Sequence, residues 1–149
     1  MMEFEKCLSR LQKLCSKAEY CRSDVYRKAL KDLEGDATAA GEVAKKLVEE
    51  RYVDDARYAS AFAREKSSLQ GWGPVKIRYM LKGKGISDAD IASGLADISD
   101  EAAYAKLVKL LQAKARTLEG DPQFKLKLIK FGLSRGYEYS DVEEAISKI

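Results

Sequence analysis

Three glycines at nearly equal spacing divide the sequence into similar segments. Gly35, Gly85 and Gly136 lie 50 and 51 residues apart, and each stands between two runs of apolar residues at helical spacing. Residues 76–98 also align with residues 127–149, so that apolar, basic and acidic positions coincide. A period near 50 with about three helical runs in each copy predicts tandem three-helix units.

Apolar residues recur every three or four positions along most of the chain, and no run of alternating β-branched residues interrupts them. The pattern predicts about nine or ten helices of roughly 8 to 18 residues. Pro74 and Pro122 are predicted to stand at helix starts, where proline is tolerated. Each unit alone is too small for a large core, so neighbouring units should pack in a line. We therefore predict an all-α, elongated array of three tandem three-helix repeats, at 1–52 (divergent), 53–98 and 99–149.

The turns inside each repeat also have a predicted chemistry. The glycine of each copy should end a helix in a conformation with positive φ. Ser87 with Asp90, and Ser140 with Glu143, have the spacing of a capping box, in which serine begins the next helix and the acidic residue bonds back to it. Both motifs therefore predict where the third helix of a repeat begins.

Composition excludes several classes of protein. The 149 residues contain no histidine, which removes the common histidine-dependent nucleophiles and metal sites. Cys7, Cys15 and Cys21 are odd in number and form no C-x-x-C pair, which favours reduced thiols and a cytoplasmic location. No signal peptide or membrane-spanning run is recognisable. We expect a protein that is not an enzyme and needs no cofactor or metal.

Residues 70–87 collect glycine and positive charge although the whole chain has a net charge of only +3. The segment does not match a phosphate-binding loop, since the G-x-x-x-x-G-K-[ST] pattern is absent. It resembles a helix-turn-helix, but the second helix would carry Asp88, Asp90 and Asp97 and no cation, which disfavours insertion into a DNA groove. Two interpretations remain open here: a solvated basic face, or a docking face for an acidic partner.

A second basic helix supports the docking interpretation. Arg78 and Lys82 are four residues apart, so they share one face of a helix that is predicted to contain no acid. Lys127 and Lys130 occupy a comparable face in the last copy, and residues 123–137 also lack acids. Two basic helices at equivalent places predict a basic stripe along the molecule, which suits a polyanion or an acidic protein groove.

Two other features favour structural roles. Asp54 and Asp55 are adjacent, so on a helix they diverge by about 100° and make a poor acid–base pair; they are better interpreted as a helix start. Trp72 lies between two glycines and could either pack on the following helix or anchor a partner.

The central residues resemble the signature of the RecX family, regulators of the bacterial RecA recombinase. The match covers about 50 residues, and the length and three-fold repeat fit the family across the chain. The matching positions are Asp54, Asp55, Arg57, Tyr58, Ala59, Gly71, Gly73, Pro74, Leu81, Lys84, Gly85 and Ile86.

The resemblance implies a non-enzymatic modulator that inhibits RecA and so regulates DNA repair and the SOS response. It would bind, as a monomer, in the groove of the RecA filament on single-stranded DNA and suppress ATP hydrolysis, strand exchange and filament growth. The alternative is a helical module that binds nucleic acid without RecA. The basic faces place the candidate partner-binding residues at Arg57, Arg78, Lys82, Lys84, Lys127, Lys130 and Arg135.

Overall fold

The computed structural model describes residues 2–149, which contain nine α-helices and no strand. The all-α prediction is confirmed, and the helices have 8 to 18 residues as expected. Their bounds are α1 (Phe4–Lys17), α2 (Arg22–Asp32), α3 (Ala37–Glu49), α4 (Asp55–Ser68), α5 (Pro74–Gly83), α6 (Asp88–Leu95), α7 (Asp100–Thr117), α8 (Phe124–Ser134) and α9 (Tyr139–Ser147).

Three separate hydrophobic cores correspond to three groups of helices. Helices α1–α3, α4–α6 and α7–α9 each close around their own buried residues, such as Leu11, Ile77 and Leu111. In every extensively packed pair of helices, both helices belong to the same group. We call these groups the first, second and third repeat. The division of the chain at residues 52 and 98 stays a prediction.

The turn between the second and third helix of every repeat contains the glycine that the period singled out. The φ angles of Gly35, Gly85 and Gly136 are +87°, +75° and +94°, so each occupies the left-handed region as predicted. Ser87 then caps α6 by accepting a hydrogen bond from the backbone N–H of Asp90.

Two predicted helix starts are wrong by two residues. Ser140 lies inside α9, whose N-cap is Glu138, because the helix begins three residues after Gly136, as α6 begins three residues after Gly85. Pro122 lies ahead of the N-cap of α8, in the turn before the helix. Pro74, by contrast, is the first residue of α5 as predicted.

The second and third repeats meet where α8 ends and α5 begins. The backbone N–H groups of Gly73 and Val75 donate to the carbonyl oxygens of Arg135 and Gly136, at 2.7 and 2.9 Å. These bonds satisfy N–H groups that a helix start otherwise leaves without an intrahelical partner. A Cβ atom on Gly73 would lie 2.4 Å from the Gly136 oxygen, so only glycine allows this approach. We call this contact the second joint.

The first and second repeats meet in an equivalent place, where α5 ends and α2 begins. The Arg22 N–H donates to the carboxylate of Asp55 at 2.8 Å, and the Ser23 hydroxyl donates to the carbonyl of Lys84 at 2.6 Å. Cys21, the N-cap of α2, is fully buried in the core of the second repeat. We call this contact the first joint.

The two joints place α8, α5 and α2 end to end, and we call these three helices the middle-helix row. Their dipoles point the same way, with the carboxyl end of one helix against the amino end of the next. The row contains about 48 Å of helix at 1.5 Å per residue. The chain exposes 9001 Å², whereas a compact monomer of 16.6 kDa exposes about 7,600 Å². The larger surface agrees with an extended array.

Candidate partner-binding surface

Charge is sorted by helix along the array. Helix α5 carries Lys76, Arg78 and Lys82 without an acid, and α8 likewise carries only cations, Lys125, Lys127 and Lys130. Helices α6 and α9 carry only carboxylates. The end of α8 meets the start of α5, so the two basic helices are neighbours in the middle-helix row; that their cations form one binding stripe stays a prediction.

Two of the candidate residues pair with carboxylates of the first repeat and so belong to the first joint. The Arg57 guanidinium pairs with Glu19, with Nε 2.6 Å from the carboxylate oxygen, and it also donates to two backbone carbonyls of the α3–α4 connection. The Lys84 ammonium lies 3.1 Å from Asp24 and is the less exposed of the two cations. Both residues therefore bind the first repeat to the second.

Two further candidates have carboxylate partners that the sequence pattern did not indicate. Lys82 Nζ lies 3.3 Å from Asp88 at the start of α6, and Lys127 Nζ lies 2.6 Å from Asp121. Helix α5 itself contains no acid, as predicted, but a carboxylate of α6 pairs with one of its lysines. These pairs are exposed, so a partner can compete for the lysines.

The remaining three candidates have no carboxylate partner within residues 2–149. Arg78 and Lys130 are exposed on the outer faces of α5 and α8. The Arg135 guanidinium instead lies over the ring of Phe131, 5.0 Å from its centre. Arg78 and Lys130 are thus the candidates most available to an anionic partner.

The structure adds cations on α2 that sequence reasoning missed. Arg27 joins Tyr79, Met80, Lys82 and Lys84 around an open concavity of about 560 Å³, where α2 and α5 meet. A second groove, also of about 560 Å³, shares Arg27 and Lys84 with this concavity and extends along α2. It is lined in addition by Glu19, Tyr20, Asp24, Lys28, Lys31 and Tyr58.

The basic face of α2 was not evident from the sequence because this helix also contains acidic residues. Asp24 and Asp32 balance part of the positive charge in the sequence of this helix. In the structure Asp32 is bound by Arg10 at 2.8 Å, and Asp24 is shared between Arg27 and Lys84. The outward face of α2 is therefore more basic than its composition indicates.

The paired aspartates serve two different helices. Asp54 is the N-cap of α4 and accepts a hydrogen bond from the Arg57 N–H at 3.0 Å, which confirms the interpretation as a helix start. Asp55 accepts from the N–H of Arg22 and so caps α2 in the neighbouring repeat. The two carboxylates therefore stabilise the starts of two neighbouring helices.

The G-W-G-P segment belongs to the second joint and the adjacent core. Trp72 packs edge-on against Phe62, with ring centres 6.1 Å apart, and Lys76 Nζ lies 4.3 Å from the Trp72 ring centre. Packing is therefore the correct interpretation of Trp72. The Tyr137 hydroxyl donates to the carbonyl of Gly71 at 3.2 Å, and burial raises the pKa of Tyr137 to about 12.

The charges of the first joint support one another. Burial alone would raise the pKa of Asp24, but hydrogen bonds from Cys21 and Lys84 outweigh burial and hold that pKa below its ordinary value. Burial would likewise lower the pKa of Lys84, but its interactions with Asp24 and Tyr58 raise it. Asp24 and Lys84 are therefore both charged near neutral pH.

Residues 2–149 contain no helix long and apolar enough to cross a bilayer. Within the same residues, no three side chains of the types that bind metals lie close enough together to hold an ion.

Comparison with known proteins identifies relatives by sequence. Residues 54–95, from the N-cap of α4 to the end of α6, match the family model described as RecX, second three-helix domain. The regulatory protein RecX of Halalkalibacterium halodurans is 32% identical over 109 residues, which are 72% of this chain and 41% of that protein. The Clostridium botulinum protein of the same name is 34% identical over 68% of this chain and 49% of its own length. The chain thus spans less than half the length of these curated relatives.

Solved structures share the whole fold. The crystal structure of RecX from Lactobacillus salivarius superposes with a TM-score of 0.84 at 23% identity, over 97% of this chain and 95% of that chain. Another crystal structure of regulatory protein RecX superposes with a TM-score of 0.86 at 25% identity, over 97% of this chain and 71% of that chain.

Proposed function

Because the chain belongs to the RecX family of regulatory proteins, we propose that it regulates the RecA recombinase as an inhibitor. In this proposal the protein lies in the groove of the RecA filament on single-stranded DNA. It suppresses ATP hydrolysis, strand exchange and filament growth there, and it performs no catalysis of its own.

The observation that carries the proposal is the middle-helix row. A rod with basic, acid-free outer faces on α5 and α8 suits a long groove that presents carboxylates of successive protomers and DNA phosphates. Within residues 2–149, Arg78 and Lys130 pair with no carboxylate that they would have to leave when they bind. Lys82 and Lys127 must leave exposed ion pairs in order to bind a partner, whereas Arg57 and Lys84 also hold the first joint.

The first test is ATP hydrolysis by RecA from the same organism on single-stranded DNA. We expect inhibition when this protein is present well below one molecule per recombinase, because one extended module contacts several protomers. Inhibition that appears only when the protein saturates the DNA would contradict the proposal. That result would support the alternative, a nucleic-acid-binding module that competes for the strand.

A charge-reversal pair tests the surface itself. The double variant Arg78→Glu with Lys130→Glu should weaken inhibition by at least about tenfold, or about 1.4 kcal/mol. The matched control is Lys45→Glu with Lys109→Glu, which makes the same change in net charge on exposed positions of α3 and α7. Circular dichroism should show native helix content for both. Equal inhibition by both double variants would contradict the assignment of this surface.

A further inference from the structure

One aromatic side chain on the middle-helix row stands in solvent without a partner. Tyr79 is 76% exposed on the acid-free helix α5, and it makes no hydrogen bond or ring contact within residues 2–149. Most other aromatic rings of the chain are at least half buried. A tyrosine carries a large apolar face, so leaving it in water forgoes the burial that would stabilise the fold. Its position is therefore better explained by a ligand than by packing.

The surroundings of Tyr79 are positively charged on both sides of the first joint. The two concavities that share Arg27 and Lys84 are lined by five cations, namely Arg27, Lys28, Lys31, Lys82 and Lys84, and by two carboxylates, Glu19 and Asp24. The difference is +3, which equals the net charge of the whole chain. This surface, which we call the α2–α5 surface, therefore holds an excess of positive charge beside an exposed ring.

We propose that the α2–α5 surface binds a single strand of nucleic acid, with a base stacked on Tyr79 and phosphates held by the cations of α2. The inference rests on the proposed function and deepens it by assigning the strand to the first and second repeats. Stacking on an aromatic ring beside a basic groove is the common way in which proteins hold single strands without reading their sequence. A duplex keeps its base faces stacked inside, so its bases cannot use Tyr79.

The outer face of α8 lacks this combination. It carries Lys127 and Lys130, but its exposed large side chains are the aliphatic Leu126 and Leu133. Neither leucine offers a flat aromatic face to a base. Lysines on α8 therefore provide a comparison in which positive charge is present without a stacking ring.

The stacking step is tested by fluorescence anisotropy of a labelled oligothymidine with the protein alone at low salt. Tyr79→Ala should weaken binding by roughly tenfold, since base stacking contributes about 1–3 kcal/mol. Tyr79→Phe should bind like the unaltered protein because the ring remains. The matched control is Tyr139→Ala, which removes a 52% exposed tyrosine from the acidic helix α9 and should leave binding unchanged. Equal binding by Tyr79→Ala and the unaltered protein would overturn the inference.

The phosphate contacts are tested by the dependence of the binding constant on salt. In a plot of the logarithm of the binding constant against the logarithm of the salt concentration, each lost phosphate contact makes the slope shallower by about 0.7 for a single strand. Lys28→Gln with Lys31→Gln should therefore lower the slope by about 1.4, and Lys45→Gln with Lys109→Gln should leave it unchanged. Equal slopes for the two pairs would place the strand elsewhere and overturn the inference.

RecA inhibition, measured on the same variants, separates this inference from the proposed function. If Tyr79→Ala binds oligothymidine more weakly than the unaltered protein, the inference is supported. If in addition neither the unaltered protein nor any variant inhibits RecA, only the proposed function fails. If Tyr79→Ala loses RecA inhibition but binds oligothymidine normally, the α2–α5 surface contacts protein. That outcome overturns the inference and leaves the proposed function standing.

Discussion

Gly73 shows how a single missing side chain sets the distance between two repeats. We predict that Gly73→Ala destabilises the protein by about 1–3 kcal/mol, because its Cβ would collide with the backbone of Gly136 and force the second joint apart. Gly83 lies at the end of the same helix with nothing within 4 Å of the position of its missing Cβ. Gly83→Ala should instead stabilise by roughly 0.5–1 kcal/mol, since alanine favours a helix. Urea unfolding of both variants measures the two changes in stability. A loss of stability of similar size at both positions would contradict the conclusion that close approach at the second joint requires Gly73.

Tyr137 makes the stability of the fold depend on alkaline pH. Burial raises its pKa to about 12, so between about pH 10 and pH 12 the unfolded chain loses this proton while the fold keeps it. The stability that the neutral hydroxyl contributes is complete below pH 10 and is lost as the pH rises towards 12. Tyr137→Phe should cost about 1 kcal/mol at pH 7, through loss of the bond to Gly71.

The same variant should also lose less stability than the unaltered protein between about pH 10 and pH 12. Urea unfolding across this range measures the difference. Parallel pH profiles for the two proteins would show that Tyr137 does not carry the alkaline dependence.

Helices α2 and α5 begin with different chemistry, although they occupy equivalent places in the row. The N–H of Arg22 donates to a side-chain carboxylate, whereas those of Gly73 and Val75 donate to backbone carbonyls. Salt screens the electrostatic part of a hydrogen bond to an exposed carboxylate, whereas it affects bonds between neutral backbone groups much less. We predict that 1 M salt accelerates hydrogen exchange at Arg22 and leaves exchange at Gly73 and Val75 unchanged.

Residue-resolved exchange by NMR measures all three amides in one sample, so the two amides of α5 serve as internal controls. An equal response at Arg22 and Val75 would mean that the first joint does not depend on charge. Asp55→Asn adds a second check, because it keeps the oxygen acceptor for Arg22 but removes the charge. The salt response at Arg22 should then largely disappear.

Over the whole molecule, the number and order of the helices could be predicted because each core is built from residues close together in the sequence. The left-handed glycine turns were predictable for the same reason. The joints were not, since Lys84 and Asp24 are 60 residues apart and Arg57 and Glu19 are 38 apart. A pattern read along one helix does not reveal a carboxylate that another repeat supplies.

The candidate surface was predictable only in part. The basic faces of α5 and α8 are visible in the sequence because these helices contain no acids. The contribution of α2 was hidden, since Asp24 and Asp32 become neutralised only when other elements pack beside them. The end-to-end row, which brings Arg27 beside Tyr79, depends on both joints and is a property of the assembled array.

A separate core for each repeat has a consequence for how the chain acquires its structure. Contacts between residues near in sequence close small loops, and proteins that depend on them fold quickly. During synthesis the first core can form once the three helices of the first repeat have emerged, before the second repeat exists. Cys21 is the exception, because it is buried among residues of the second repeat. The first turn of α2 therefore remains incomplete on the ribosome, with its thiol in solvent, until α4 to α6 have followed.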